Sequence, residues 1–143
     1  MNAITSIAQR LIGAAFVSWL ALLCLCAAYL QGGLVKAFDF AGAIAEMTHF
    51  GLQPATPFAV LVIVLELAAS VMILTGIGRW LGALSLAGFT FLATFMANRF
   101  WDMVPPDRFG AANSFFEHIG LCGGFLFVAW YDLNARAGGQ GHE

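Results

Sequence analysis

Glu66 stands near the middle of an apolar run from Phe58 to Gly78 and is the only charged residue in it. A helix of about 20 residues is about 30 Å long, which matches the hydrocarbon core of a bilayer. The carboxyl group is therefore expected near the membrane midplane, where an acid costs at least ~2.5 kcal/mol on insertion scales. Such a residue faces a partner or a cavity rather than lipid. Toward one end of the helices the sequence places a second polar group: Lys36, Asn98, Arg99, Asp102, Glu117 and His118. Glu66 is expected about 12 Å below that rim at ~1.5 Å per residue, with His118 the deepest of the upper set. A carboxylate and an imidazole at different depths can relay protons or hydrogen-bond a quinone head group. The alternative is that Glu66 pairs with His118, Lys36 or Arg99 and fixes helix register.

Other chemistries find little support. Cys24 and Cys26 are two apart on one helix, so their side chains diverge by about 200°, and Cys122 stands alone. There is no C-x-x-C pair of the thiol–disulfide exchangers, and a bridge from Cys122 to helix one would need close approach. The three histidines, His49, His118 and His142, are far apart in sequence. No helix carries two at ligand spacing, so no metal and no bis-His haem are expected, and His49 is placed at the membrane surface. Gly76-x-Gly78-x-x-x-Gly82 misses the dinucleotide fingerprint by one residue and follows no strand.

The elements that must hold Glu66 are membrane helices. Of 143 residues, 61% are hydrophobic and 10% charged, with a mean hydropathy of +0.85. A soluble domain has about a quarter of its residues charged. The net charge of −2 and the absence of a basic run speak against nucleic acid. Four spans are expected, at about Leu11–Val35, Phe58–Gly76, Trp80–Phe100 and Asn113–Tyr131. They would form an all-α, four-helix antiparallel bundle, a single transmembrane domain over the whole chain. Gly76-Ile77-Gly78-Arg79 reads as the tight turn of a hairpin. Pro57 reads as a helix start. Phe40, Ile44, Met47 and Phe50 recur at helical spacing, which predicts a short amphipathic helix at the interface between helices one and two.

The first apolar run is longer than a signal core and Arg10 is a weak basic region, so a retained helix is expected. Four spans put both termini on one side, with Arg10, Arg79 and Arg136. Lys36, Arg99 and Arg108 lie opposite, so the positive-inside rule barely votes; the termini are placed in the cytoplasm. Trp80, Trp101, Trp130 and Tyr131 fall at helix ends, as interfacial anchors do. Gly78 with Gly82, Ala83, Ala87 and Gly88, and the Gly120–Gly124 stretch, supply slim faces for close helix packing.

Several of these segments share a pattern. Tyr29-Leu30-Gln31-Gly32-Gly33-Leu34-Val35-Lys36-Ala37-Phe38 resembles the first-helix exit of the DoxX family. Glu66, followed by Leu74-Thr75-Gly76 and Arg79, is similar to that family's second-helix acid and hairpin turn. Ala93-Thr94, Phe100-Trp101 and Gly120-Leu121-Cys122-Gly123-Gly124-Phe125-Leu126 continue the likeness, which runs from about Tyr29 to Ala129. The resemblance implies a four-helix protein of the bacterial inner membrane, associated with oxidoreductase complexes and quinone. Two positions depart from the commonest pattern. Asn98-Arg99 stands where many members have His before Phe-Trp, and Glu117-His118 where many have Lys-Asn.

Two readings of function follow. In one, the chain is a subunit of a redox complex that binds quinone or relays protons at Glu66, His118, Glu117, Asn98, Lys36 and Arg99. In the other, it is a non-catalytic assembly subunit, packed against lipid and against other membrane subunits or further copies of itself.

Overall fold

The computed structural model describes residues 5–7, 9, 13 and 15–139. The expected start of the first span at Leu11, together with Arg10 and His142, lies outside them. The elements are α1 (Ala15–Phe38), α2 (Phe40–His49), α3 (Ala55–Thr75), α4 (Arg79–Ala97), a single 3-10 turn (Phe100–Asp102) and α5 (Asp107–Gly139). Among the described residues, three stretches are long and apolar enough to cross a membrane: α1, α3, and α4 together with the 3-10 turn. With the family assignment below, this makes the chain an integral membrane protein.

Local chemistry sets the boundaries, and several differ from the expected ones. α3 begins at Ala55 with Pro54 as its cap residue, so Pro57 sits in the first turn as expected, although the helix starts two residues before it. Its missing N–H costs nothing there, because the first four amides of a helix have no intrahelical acceptor. α3 stops at Gly76, whose φ of 82° is left-handed, and Gly78 (φ 65°) opens α4. Both need a residue without a Cβ. α4 ends at Ala97, before the expected Phe100. α5 is much longer than the apolar count implied, at 33 residues. Pro105-Pro106 precede its start and Asp107 lies in its first turn, where a carboxylate suits the positive end of the helix dipole. Charges at both ends had hidden those turns.

The chain packs into two cores rather than one. At the hairpin end, Cys26 and Tyr29 of α1, Ala69 and Ile73 of α3, Ala83, Leu86 and Ala87 of α4, and Phe125 and Ala129 of α5 form one cluster. Small residues bring the backbones together. A Cβ on Gly82 would lie 2.7 Å from the Ala69 carbonyl oxygen, and one on Gly33 2.8 Å from the Leu67 side chain. Gly124 touches Leu25, whereas Gly88, Gly120 and Gly123 face open space. The expected close packing thus holds for part of the small-residue stretches only.

At the other end, α3 packs on α2 instead. Ala43 and Met47 meet Ala55 and Ala59 in a second, smaller core. The buried face of α2 is therefore centred on Ala43 and Met47, and Phe40 is exposed, a rotation from the expected stripe. Alanine against alanine lets the two helices approach. Asp39 starts α2, its carboxylate accepting the Gly42 amide at 3.0 Å, as N-cap residues do. Of the long-helix pairs whose backbones approach one another, α1 and α5 do so least. Of the aromatic anchors, Trp101, Trp130 and Tyr131 are exposed, while Trp80 packs against the first core.

Candidate functional site: a buried ion pair on a cavity

Between the two cores the helices do not close up. A cavity of about 700 Å³ lies there. Its α1 wall carries Tyr29, Gly32 and Lys36, its α3 wall Phe58, Val62, Leu65 and Glu66, and its α4 wall Phe89, Thr90 and Ala93, with Asn98 just past the end of α4. α5 contributes Glu117, His118 and Leu121, α2 adds Glu46 and Met47, and Phe50 follows at its end. Ligand cavities in proteins commonly measure about 300–1,000 Å³, apolar with a few convergent polar groups.

Glu66 is 5% exposed and pairs with Lys36, whose Nζ lies 3.2 Å from one carboxylate oxygen and 3.3 Å from the other. The expected 12 Å gap between Glu66 and the rim is closed by side-chain direction. Gly33 lies against Leu67 and Cys26 beside Ser70, so α1 and α3 run in opposite senses here. Side chains tilt toward the N-terminus of their own helix. Lys36 therefore leans down into the bundle while Glu66 leans up. Gly32 leaves the room: a Cβ there would sit 3.5 Å from Lys36 Nζ and 3.6 Å from Glu66 Oε2. An ammonium has three donors, so the bonds to the carboxylate leave donor capacity for a ligand.

The other candidates divide. His118 lines the cavity, but its Nδ1 is 2.6 Å from the Ser114 carbonyl oxygen of its own helix. The expected approach of His118 to Glu66 is replaced by Lys36. Asn98 also lines the cavity and donates to Thr94 Oγ1 at 3.2 Å. Glu117 stands exposed at the edge. Arg99 is not brought to the cavity; it faces Asp102 at 3.6 Å with both side chains exposed. Below the ion pair, the Tyr29 hydroxyl bonds Thr90, and Ser70 donates to the Glu66 carbonyl oxygen at 2.7 Å. Tyr29 and Gly32 entered the sequence reading only as part of the first-helix motif and Thr90 not at all, because neutral residues on apolar helices give no periodic signal.

A second buried carboxylate was also missed. Asp132 accepts the Trp80 amide at 3.3 Å and the Arg136 Nε at 2.9 Å. Arg136 reaches on to the Gly76 carbonyl oxygen at 3.2 Å, and Arg79 donates to the Ile73 carbonyl at 2.9 Å. The Asp132–Arg136 spacing of four was the available clue. Cys24, Cys26 and Cys122 are all free thiols. Among the described residues no group of three or more His, Cys, Asp or Glu could hold a metal ion.

No curated protein and no solved structure matches the chain. The DoxX family model matches residues 18–99, from within α1 to just past α4, and so takes in Gly32, Lys36, Glu66 and the hairpin turn. The Gly120–Leu126 motif lies beyond the matched stretch. On that match, more than half of its length, the chain belongs to the DoxX family.

Proposed function

We propose that this DoxX protein is a subunit of an oxidoreductase complex of the bacterial inner membrane, and that its cavity holds the head group of a lipophilic quinone. The observation that carries the reading is the buried Lys36–Glu66 pair on the wall of an otherwise apolar cavity. A quinone fits that donor set. Lys36 would donate to a ring carbonyl, Asn98 and His118 supply further polar contacts, and Phe58, Leu65 and Phe89 flank the ring and tail. A bound quinone supplies a carrier for two electrons and two protons. Glu66, hydrogen-bonded to Lys36, is the group placed to hold or pass a proton there. With no cofactor motif in the chain, electrons would come from a partner subunit.

The same reading takes α5 as a fourth span and the bundle as antiparallel, a single domain with both termini in the cytoplasm. Association with other membrane subunits, or with further copies, is supported by the outer face of α1, where Phe16, Trp19, Leu20, Leu34 and Val35 are exposed. That face also favours the second reading, a non-catalytic assembly subunit.

The test is equilibrium binding of decylubiquinone to the purified protein in lipid nanodiscs. Glu66→Gln is expected to weaken binding about tenfold, a loss of about 1.4 kcal/mol. The double variant Lys36→Met/Glu66→Leu is expected to fold and not bind. If it binds as well as the parent, the cavity is not a quinone site and the assembly role stands.

A further inference from the structure

The edges of the cavity differ in chemistry. On the α3–α4 edge, Leu61 is 56% exposed and Leu92 66%, and both line the cavity, with Met96 beside them. The tight packing of α3 on α4 at Gly82 and Ala69 belongs to the hairpin end. Farther up, the buried side chains Ala55 and Ala59 of α3 face α2 instead. The α3–α4 seam is therefore unzipped at the level of Leu61 and Leu92, and only apolar side chains frame it. The opposite edge is different. Glu117 and His118 of α5 border it, and Glu46 of α2 adds a further carboxylate to the lining. Three carboxylates, Glu46, Glu66 and Glu117, then line the cavity against the one ammonium of Lys36.

We propose that the cavity is loaded from within the bilayer, through the α3–α4 edge framed by Leu61, Leu92 and Met96, by lipophiles whose polar head carries no negative charge. This rests on the reading of the cavity as a ligand site and adds its entrance and its selectivity. Lipid tails wet an apolar frame at no cost, whereas Glu117 on the other edge would have to be desolvated as a tail slid past it. An anionic head brought to Glu66 would displace the carboxylate from Lys36 or lie beside an excess of acid, and like charges in a low dielectric repel strongly. Lys36 is already neutralised by Glu66, so the site has no spare cation for a phosphate.

The experiment uses the full chain in lipid nanodiscs. Tritiated decylubiquinone is the probe, and its association and dissociation are followed by rapid filtration. A larger barrier at an entrance slows entry and exit alike. Leu61→Trp/Leu92→Trp is therefore expected to lower both rates about tenfold while the affinity moves by less than about threefold. Both positions are exposed, so folding is not at issue. Unchanged rates in that variant, or slowing by Ala28→Trp on the α1 side instead, would overturn the entrance.

Dodecyl phosphate, tested as a competitor, is expected not to displace the probe from the parent and to begin doing so in Glu46→Gln/Glu117→Gln. Displacement from the parent, or none from the double variant, would overturn the selectivity. Failure of the parent to bind decylubiquinone at all is a different result and defeats the quinone reading itself.

Discussion

The two ends of this bundle each bury a carboxylate beside a base, yet they use it differently. Asp132 is spent on structure: it accepts a backbone amide at the start of α4, and its arginine goes on to a carbonyl of the hairpin turn. Packing is close at that end: Gly82 lies on the Ala69 backbone and Phe125 is fully enclosed. Glu66 meets Lys36 on the wall of an open space, with glycine rather than a bulky side chain opposite. A buried ion pair in a packed environment reads as a fastening. The same pair on a cavity wall reads as a site. Burial alone does not separate them; what surrounds the pair does.

The sharpest way to break this comparison is to remove one charge from each pair. Glu66→Leu leaves the Lys36 ammonium enclosed without a partner, which is expected to cost about 3–5 kcal/mol, read as a lowered unfolding temperature in detergent. Lys36→Met/Glu66→Leu is expected to recover most of that loss, because two apolar side chains replace two charges. Asp132→Asn is expected to cost less, about 1–2 kcal/mol, since the Arg136 side chain is 51% exposed and can turn to water. If Asp132→Asn proves the costlier change, exposure of the partner base is not what sets the cost of losing the acid.

Two glycines sharpen the contrast at the level of packing. Gly82→Ala is expected to destabilise by about 1–3 kcal/mol, because its Cβ would strike the backbone of α3. Gly32→Ala meets only ordinary contacts and is expected to stay within about 1 kcal/mol of the parent. Thermal unfolding of the two single variants side by side decides it; equal losses would mean that the cavity end is as tightly packed as the hairpin end. The smallest effect belongs to Arg99→Ala. Its exposed pairing with Asp102 is expected to contribute at most about 0.5 kcal/mol, vanishing in high salt, and a larger loss would bring Arg99 back as a site residue.

Much of the hairpin end was legible in the sequence, because its rules are local. Gly76 and Gly78 announce the turn, and the uncharged runs announce α3 and α4. Glu66 was visible as a lone charge in an apolar run, and Lys36 was among its candidate partners. The choice of Lys36 over His118 was not legible. It depends on helix tilt and on side-chain direction across a contact of 30 residues' separation, whereas the His118 ring is claimed by a carbonyl one turn earlier on its own helix. The cavity was equally silent, since an empty space is a property of what α2 and α4 leave uncovered. The ends of α5 were lost because charged turns at both ends read as loop. The Asp107 carboxylate at the positive end of the helix dipole and the Asp132–Arg136 pair carry the helix through them.

The separation of the paired residues along the chain also orders events during synthesis. Lys36 and Glu66 are 30 residues apart, whereas Asp132 must return over 52 to reach Trp80. Ribosomes add ~5–20 residues per second, so seconds pass between the appearance of Glu66 and that of Asp132. During that interval the nascent chain can hold its intramembrane acid neutralised by Lys36, and α1 and α3 can leave the insertion machinery as a matched pair. The Trp80 amide, by contrast, waits for the last helix to arrive.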